Sequence, residues 1–362
     1  MRIGILTFHM AINYGAYWQA YALNKYIRDT FEAECYLINY ESKYTFKKDI
    51  VKRIFKLNII KSMYNLLAIL NFRRGWKLMK KTKFSFDISS ENFDGYVLGS
   101  DEIWNYKNTF VEEGDNTYFG TGFEASRIVS FCPSFGAVNC NDKIPHEIAE
   151  SIRRITTDNI SVRDANSQYI IEKITGNKVP ILVDPVFLNK YPKKHIGRDK
   201  KFILVYGNNF SKEFVDSVKE VARQENAKIY SFGFVNTFAD KNILFKSPIE
   251  ILNYFDSAQY VFTNMYHGVV FSLYCQKQFF MQYNSSKQNK VDTLLNQIGL
   301  SDRIVYTKRD VFEMYKYIKE HPEDFKISME RLDLLIKQSK NFINSRISAI
   351  ENMVLNKSSK GA

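Results

Sequence analysis

Histidine is scarce in this chain, with five in 362 residues, and cysteine is scarcer, with four. Cys35, Cys132, Cys140 and Cys275 are scattered and form no C-x-x-C pair. That spacing speaks against a zinc site and against a disulfide framework. All four thiols are expected to be buried as small hydrophobes in a reducing cytoplasm. Seven prolines and 16 glycines are too few for collagen-like or disordered character. D-x-D, H-x-H and H-E-x-x-H are absent, so no metal site is expected. So are G-x-S-x-G and a Walker loop, which removes two common nucleophile and phosphate-binding devices. Met1 runs directly into RIGILTF, without the n-region and cleavage site of a secretory signal, and a cytoplasmic protein is expected.

Acidic residues are missing from one stretch in particular. Between Lys47 and Lys83 twelve basic side chains face the single acid Asp49, a formal +11 out of the chain's +12. The other 325 residues are therefore nearly neutral. Within this insertion basic residues alternate with Ile, Leu, Phe and Trp76 at helical spacing. Its longest uncharged run, Ser62 to Phe72, has 11 residues, where a spanning helix needs about 20. A basic amphipathic helix on an anionic membrane surface is one reading; ordinary surface helices packed by their apolar faces are the other. No nucleic-acid module is recognisable, and no nucleic-acid partner is expected.

With 45% hydrophobic and 15% aromatic residues, the chain can build two cores, and its length calls for two domains. Short apolar runs read as strands at 2–8, 34–40, 95–101, 127–135, 159–164 and 179–185. A polar connection at 188–200 precedes a second series at 201–207, 227–233, 242–247, 259–265 and 277–283. Helical stretches lie between them, the pattern of parallel sheets covered on both faces. The expected fold class is α/β, with two Rossmann-like domains, a cleft between them and a C-terminal helical segment. The first domain spans 1–190 with the insertion 47–83, and the second spans 200–310. Helices at 311–362 could cross back to the first domain.

In such sheets ligands sit outside the carboxyl ends of the strands. Those ends carry His9, Asn13, Tyr14 and Gly15; then Gly99, Ser100 and Asp101; then Ser134 and Gly136; then Arg163; and finally His267 and Gly268. Asp101 suits the orientation or deprotonation of a hydroxyl, yet Ser100 or Asp101 could equally cap the next helix. Arg163 offers a guanidinium fork for phosphate or carboxylate, or pairs with Asp164 or Asp184. His267, between an apolar run and a glycine, is either a core histidine or an acid and anion contact.

Six blocks stand in order: TFHMAINYGAYWQAYAL, GSDEIWN, SFCPSFGA, SVRD, VDPVFL and TNMYHGVVFSL. Together, over about residues 2–308, they resemble the polysaccharide pyruvyl transferase family. The chain departs from its usual pattern at Tyr17-Trp18, in TNMYHG and GSDEIW, and in KQNKVDTLLNQIGL, where Lys287 or Lys290 stands in for a usual arginine. The resemblance implies a GT-B-like fold and transfer of the enolpyruvyl group of phosphoenolpyruvate onto two hydroxyls of a sugar, with release of phosphate. No cofactor is implied, phosphoenolpyruvate being the donor substrate. Catalysis then falls to His267 and Asp101. Donor binding falls to Arg163, His267, Ser134, Gly136, Gly268 and Lys290. Acceptor binding falls to Asn13, Tyr14, Trp18 and Trp104, although core packing is the competing role for Trp18. A lipid-linked oligosaccharide acceptor would place the enzyme peripherally at the inner face of the plasma membrane, held by 47–83. The alternatives are a GT-B-type glycosyltransferase with a nucleotide-sugar donor, and a non-catalytic scaffold of polysaccharide assembly.

Overall fold

A computed structural model describes residues 1–43, 59–88, 92–108, 111–196, 201–284 and 288–360, with side chains from Leu66 onward in the second stretch. Much of the expected basic segment, 47–58, therefore lies outside the described residues. The chain divides into two compact units, Met1–Asn189 with Leu335–Ala362, and Lys190–Leu334.

The sheet of the first unit contains β1 (Arg2–Leu6), β2 (Glu34–Leu37), β3 (Lys80–Lys81), β4 (Gly95–Leu98) and β5 (Ile128–Ser130). Its order is β3-β2-β1-β4-β5, and every pairing is parallel. Ile3, Ile5 and Leu6 of β1 and Val97 and Leu98 of β4 are fully buried, as expected where helices cover both faces. Helix α1 (Tyr14–Phe31) follows β1, capped by Asn13, and buries Tyr17, Trp18, Gln19 and Leu23. Next come α2 (Ile59–Trp76), α3 (His146–Arg153) and α4 (Ala165–Thr175).

The second sheet comprises β6 (Phe202–Tyr206), β7 (Lys228–Phe232), β8 (Lys241–Ile243), β9 (Val261–Thr263), β10 (Phe279–Gln282) and β11 (Ile304–Val305). Its order is β11-β10-β9-β6-β7-β8, again all parallel. Helices α5 (Lys212–Gln224), α6 (Ile251–Ser257), α7 (Tyr266–Tyr274), α8 (Gln288–Ile298) and α9 (Lys308–Glu320) belong to this unit.

The last helix, α10 (Pro322–Lys360), changes unit at Leu335. In the first unit Ser339 Oγ accepts from Val183 N at 3.0 Å, Tyr26 Oη donates to Asn344 Oδ1 at 2.9 Å, and Ile343 and Ile347 are fully buried. The break expected at 310–311 is thus absent: α9 and the start of α10 continue the second unit.

Several strand expectations change. Residues 159–164 and 179–185 form no strands but meet at a single bridge, Val162 to Ile181. Thr157–Asn159 is a 3-10 turn and Asp164 already caps α4, while Pro180 and Pro185 remove ladder donors from the other run. The runs at 95–101 and 127–135 are strands only to Leu98 and Ser130; beyond them they are loops that meet again at one parallel bridge, Asp101 to Pro133. The helical pattern expected up to Lys83 ends earlier, and Lys80–Lys81 joins the sheet edge. Cys35, Cys132 and Cys275 are buried, but Cys140 is only partly so.

Candidate functional site

In the first unit the carboxyl edge is a buried polar network. Gly99 has φ 120°, and a Cβ there would stand 2.3 Å from Phe131 O, so no side chain fits beside the β5 loop. Asp101 follows at φ 82°, a left-handed conformation that is costly for a non-glycine residue. It is held by Ser134 N, which donates to Asp101 O at 2.8 Å, and its own Oδ1 accepts from Glu102 N at 2.8 Å. Behind it Arg163 Nη1 donates to Asp184 Oδ2 at 3.0 Å and to Gln19 Oε1 at 3.3 Å. Arg163 Nη2 lies 3.6 Å from Asp101 Oδ1. The Arg163 and Asp184 side chains are 1% and 0% exposed, whereas Asp101 is 19% exposed. Asp184 Oδ1 also accepts from Val186 N at 3.1 Å, and Ser100 Oγ donates to Gln19 Oε1 at 3.0 Å.

This geometry reassigns several expected donor contacts. Arg163 is the buried partner of Asp184, so its charge is compensated before any ligand arrives. A guanidinium this deep requires such a partner. Ser134 Oγ donates to Asp164 Oδ2 at 2.6 Å and accepts from Gly136 N at 2.9 Å, so both residues fasten the loop to the N-cap of α4. A Cβ on Gly136, at φ 59°, would lie 2.6 Å from Glu102 Oε2, which explains the glycine by packing.

The expected acceptor residues are also largely structural. Trp104 is fully buried, its Nε1 donates to Tyr118 O at 3.1 Å, and its ring lies against Phe119 and Phe135. Trp18 is 1% exposed, with edge contacts to Tyr17 and Tyr21. Neither indole can stack on a sugar from there. Tyr14 is half-buried with its ring 5.1 Å from Phe72. Asn13 uses Oδ1 to cap α1, accepting from Gly15 N at 2.8 Å and Ala16 N at 3.2 Å. His9, next to this loop, is buried; its Nδ1 lies 3.1 Å from Thr7 O, and burial lowers its pKa to about 4, with the charge of Lys81 acting in the same direction. Since Thr7 O can only accept, Nδ1 carries the hydrogen in a neutral ring.

In the second unit the candidates gather where β9 turns into α7. The run around His267 resembles a strand end in sequence, but His267 is the second residue of a helix. Thr263 Oγ1 donates to Tyr206 O at 2.6 Å and accepts from Met265 N at 3.0 Å, fixing the turn. A Cβ on Gly268 would sit 2.0 Å from Thr263 Oγ1, so only glycine lets the first turn of α7 approach β9 this closely. Asn264 Nδ2 donates to Asn208 O at 2.6 Å, and its Oδ1 packs against Gly207, where a Cβ would lie 2.1 Å away. His267 is half-buried, its ring 5.2 Å from Tyr266 and 5.8 Å from Phe271. Lys290 of α8, 5% exposed, has Nζ 5.3 Å from the Tyr266 ring centre. Lys287 lies outside the described residues. No acidic residue occupies the first turn of α7, so its amide end, with His267 and Lys290 near, suits an anion.

Gln19 and Asn264 are participants that the sequence did not mark, while Asp184, one of the two expected pairing alternatives for Arg163, is the partner found. Their signal lay inside the quoted blocks, but nothing local marks which polar residue of a helix or turn points inward. Among the described residues no group of three or more His, Cys, Asp or Glu is placed to hold a metal ion.

A family model described as polysaccharide pyruvyl transferase matches residues 13–286. No curated protein sequence matches the chain. Among solved structures, the UDP-GlcNAc 2-epimerase of Neisseria meningitidis, bound to UDP-GlcNAc, aligns with a TM-score of 0.55 at 9% identity, over 96% of this chain and 100% of that one. A Listeria monocytogenes protein described as a UDP-N-acetylglucosamine 2-epimerase aligns at 0.52 and 11% identity, over 91% and 90% of the two chains. At such identities the likeness is one of fold, and the fold is GT-B.

Proposed function

The chain belongs to the polysaccharide pyruvyl transferase family, and from that premise we propose that it moves the enolpyruvyl group of phosphoenolpyruvate onto two hydroxyls of one sugar. The product is a cyclic ketal and the leaving group is phosphate. The observation that carries this reading is the start of α7, an acid-free helix N-terminus with His267 in its first turn and Lys290 beside Tyr266. Such a place suits a doubly anionic donor.

Protonation at the methylene carbon of phosphoenolpyruvate makes the neighbouring carbon electrophilic. One sugar hydroxyl adds there, phosphate leaves, and the second hydroxyl closes the ring. His267 is assigned the phosphate contact and the proton, the two tasks an imidazolium can combine. Asp101, the part-exposed carboxylate of the first unit, is assigned the orientation of an acceptor hydroxyl. Arg163 is assigned to Asp101 rather than to the donor, because Asp184 already holds it. The acceptor is a sugar of a cell-surface polysaccharide or of its lipid-linked precursor. In the second case the enzyme works peripherally at the inner face of the plasma membrane.

The test is calorimetric titration of phosphoenolpyruvate, with and without a panel of p-nitrophenyl hexosides, alongside phosphate release. Wild type should bind saturably. His267→Ala should weaken binding at least about tenfold and slow phosphate release by about 10²–10⁴. A wild type that ignores phosphoenolpyruvate under both conditions but binds a uridine diphosphate sugar would replace this reading with the glycosyltransferase one.

A further inference from the structure

The sequence reads the insertion as basic and amphipathic; the structure shows which of its apolar side chains are buried and which are exposed. One side of α2 is anchored: Phe72 lies 5.1 Å from Tyr14 and 6.4 Å from Tyr17, and Tyr17 Oη donates to Gly75 O at 3.3 Å. The opposite side presents Leu66, Leu67 and Leu70, each 41–57% exposed, followed along the same face by exposed Arg73, Arg74 and Lys77. Beyond the helix Leu78, Phe84 and Phe86 are 38–44% exposed. From Leu66 to Phe86 the chain has six Arg and Lys and no Asp or Glu.

A separate part of the chain completes this surface. Met10 and Ile12, in the loop between β1 and α1, are 42% and 41% exposed. Lys81 Nζ lies 3.5 Å from Met10 Sδ, so the loop and the basic strand edge adjoin. Soluble monomers seldom leave a cluster of large apolar side chains in water. An apolar patch alone suits a protein partner, and a basic patch alone suits nucleic acid. Leucines and phenylalanines interleaved with long cationic side chains suit an acyl–headgroup boundary, where stems lie along hydrocarbon and charges meet lipid phosphates. No helix among the described residues is long and apolar enough to cross a membrane.

We propose that the outer face of α2, the 78–86 segment and the tip of the β1–α1 loop form one docking face for an anionic phospholipid surface. This deepens the peripheral-enzyme reading above and rests on it for its purpose. It also places the bilayer against the loop that leads to Asn13 and His9. A lipid-linked acceptor would then enter along that loop, without leaving the headgroup layer.

The experiment is co-sedimentation of the purified full chain with vesicles of phosphatidylcholine, with and without about one-third phosphatidylglycerol to supply the negative surface potential. Wild type should bind the anionic vesicles at least about tenfold more tightly than the neutral ones, since several basic residues near such a surface add to the attraction. Arg73→Gln, Arg74→Gln, Lys77→Gln and Lys83→Gln combined should remove that preference. Leu70→Glu with Phe84→Glu should weaken binding to both vesicle types. Unchanged thermal midpoints certify that these variants fold. No binding by wild type, equal binding by both sets of variants, or a concentration-dependent dimer that Leu70→Glu dissolves would each overturn the proposal. Phosphate release with a soluble hexoside should be the same in all variants. Absence of that activity in wild type would sink the transfer reading while leaving the vesicle result standing.

Discussion

At the carboxyl edge of the first sheet, Arg163, Asp184, Gln19 and Ser100 form one buried set of hydrogen bonds and Ser134 and Asp164 another, and Asp101, which touches both, is the member that reaches solvent. At the corresponding edge of the second sheet Thr263, Asn264 and Asn236 bond to backbone carbonyls, and glycines at 207 and 268 let backbone and side chains close up around the start of α7. Both edges are where parallel sheets keep their ligands. They differ in what their polar groups are bonded to. In the first unit charge meets charge within the protein, which fixes a loop and holds one carboxylate in a strained left-handed backbone. In the second, the positive end of a helix, an imidazole and an ammonium come without an acid in the first turn. A catalytic residue type after a strand therefore says little until its partners are known.

The sharpest way to break that contrast is to take away one member of the buried pair. Asp184→Ala should cost up to about 3–5 kcal/mol in urea unfolding, because it leaves the buried Arg163 guanidinium with only the more distant Asp101 carboxylate as countercharge. Adding Arg163→Met should return part of that loss, since the two substitutions act on one interaction. If Arg163→Ala instead abolished phosphoenolpyruvate binding at unchanged stability, Arg163 would be a donor clamp and the two edges would be alike.

A pH series sharpens the comparison from the first unit. His9 has a folded pKa of about 4 against an ordinary value of 6.5, chiefly through burial. The unfolded chain therefore binds a proton that the folded chain refuses between those values. Its contribution to stability is complete above about pH 6.5 and is lost progressively as pH falls toward 4, up to about 3 kcal/mol in all. Thermal midpoints at pH 7.5 and pH 4.5 should differ less in His9→Phe than in wild type; an identical loss in both would assign the effect to other groups.

The smallest effect is expected in the second unit. Gly268→Ala puts a methyl where Thr263 Oγ1 leaves 2.0 Å, and the first turn of α7 must retreat. A loss of about 1–3 kcal/mol follows from such overpacking, with a weaker donor affinity in calorimetry. Wild-type affinity in this variant would mean that the position of that turn does not matter to the anion.

The inner strands of both sheets were legible because parallel strands covered on two faces are written as continuous apolar runs: FILVY at β6 and GYVL at β4 are buried throughout, whereas the two-residue edge strands β3 and β11 carry no such run. Legibility stopped where period and length stop discriminating. HGVVFSLY is short, apolar and rich in β-branched and aromatic residues, features shared by a buried strand, and it is a helix. NISVRD and VPILVDP carry strand composition but give their hydrogen bonds to turns, caps and one bridge. Site residues were legible as types and not as roles. Asp184 stood among the candidate partners of Arg163 and is the one bonded, whereas its second acceptor, Gln19, is 144 positions away, a distance at which no local pattern operates. Trp104 shows the converse: an aromatic beside a loop motif was expected to meet a sugar, and the core took it.

Strand β3 consists of two lysines and closes one side of the first sheet, with Lys80 Nζ 3.7 Å from Glu34 Oε1 of β2. An open strand edge is a template on which another chain can add, and short, lysine-bearing margins are a common guard against it. A truncation that removed the insertion together with β3 would uncover the ladder groups of ECYL, a run of high β-propensity. Solubility would then fail before any question about membranes or sugars could be asked of the shortened protein, so the insertion is better probed residue by residue than by excision.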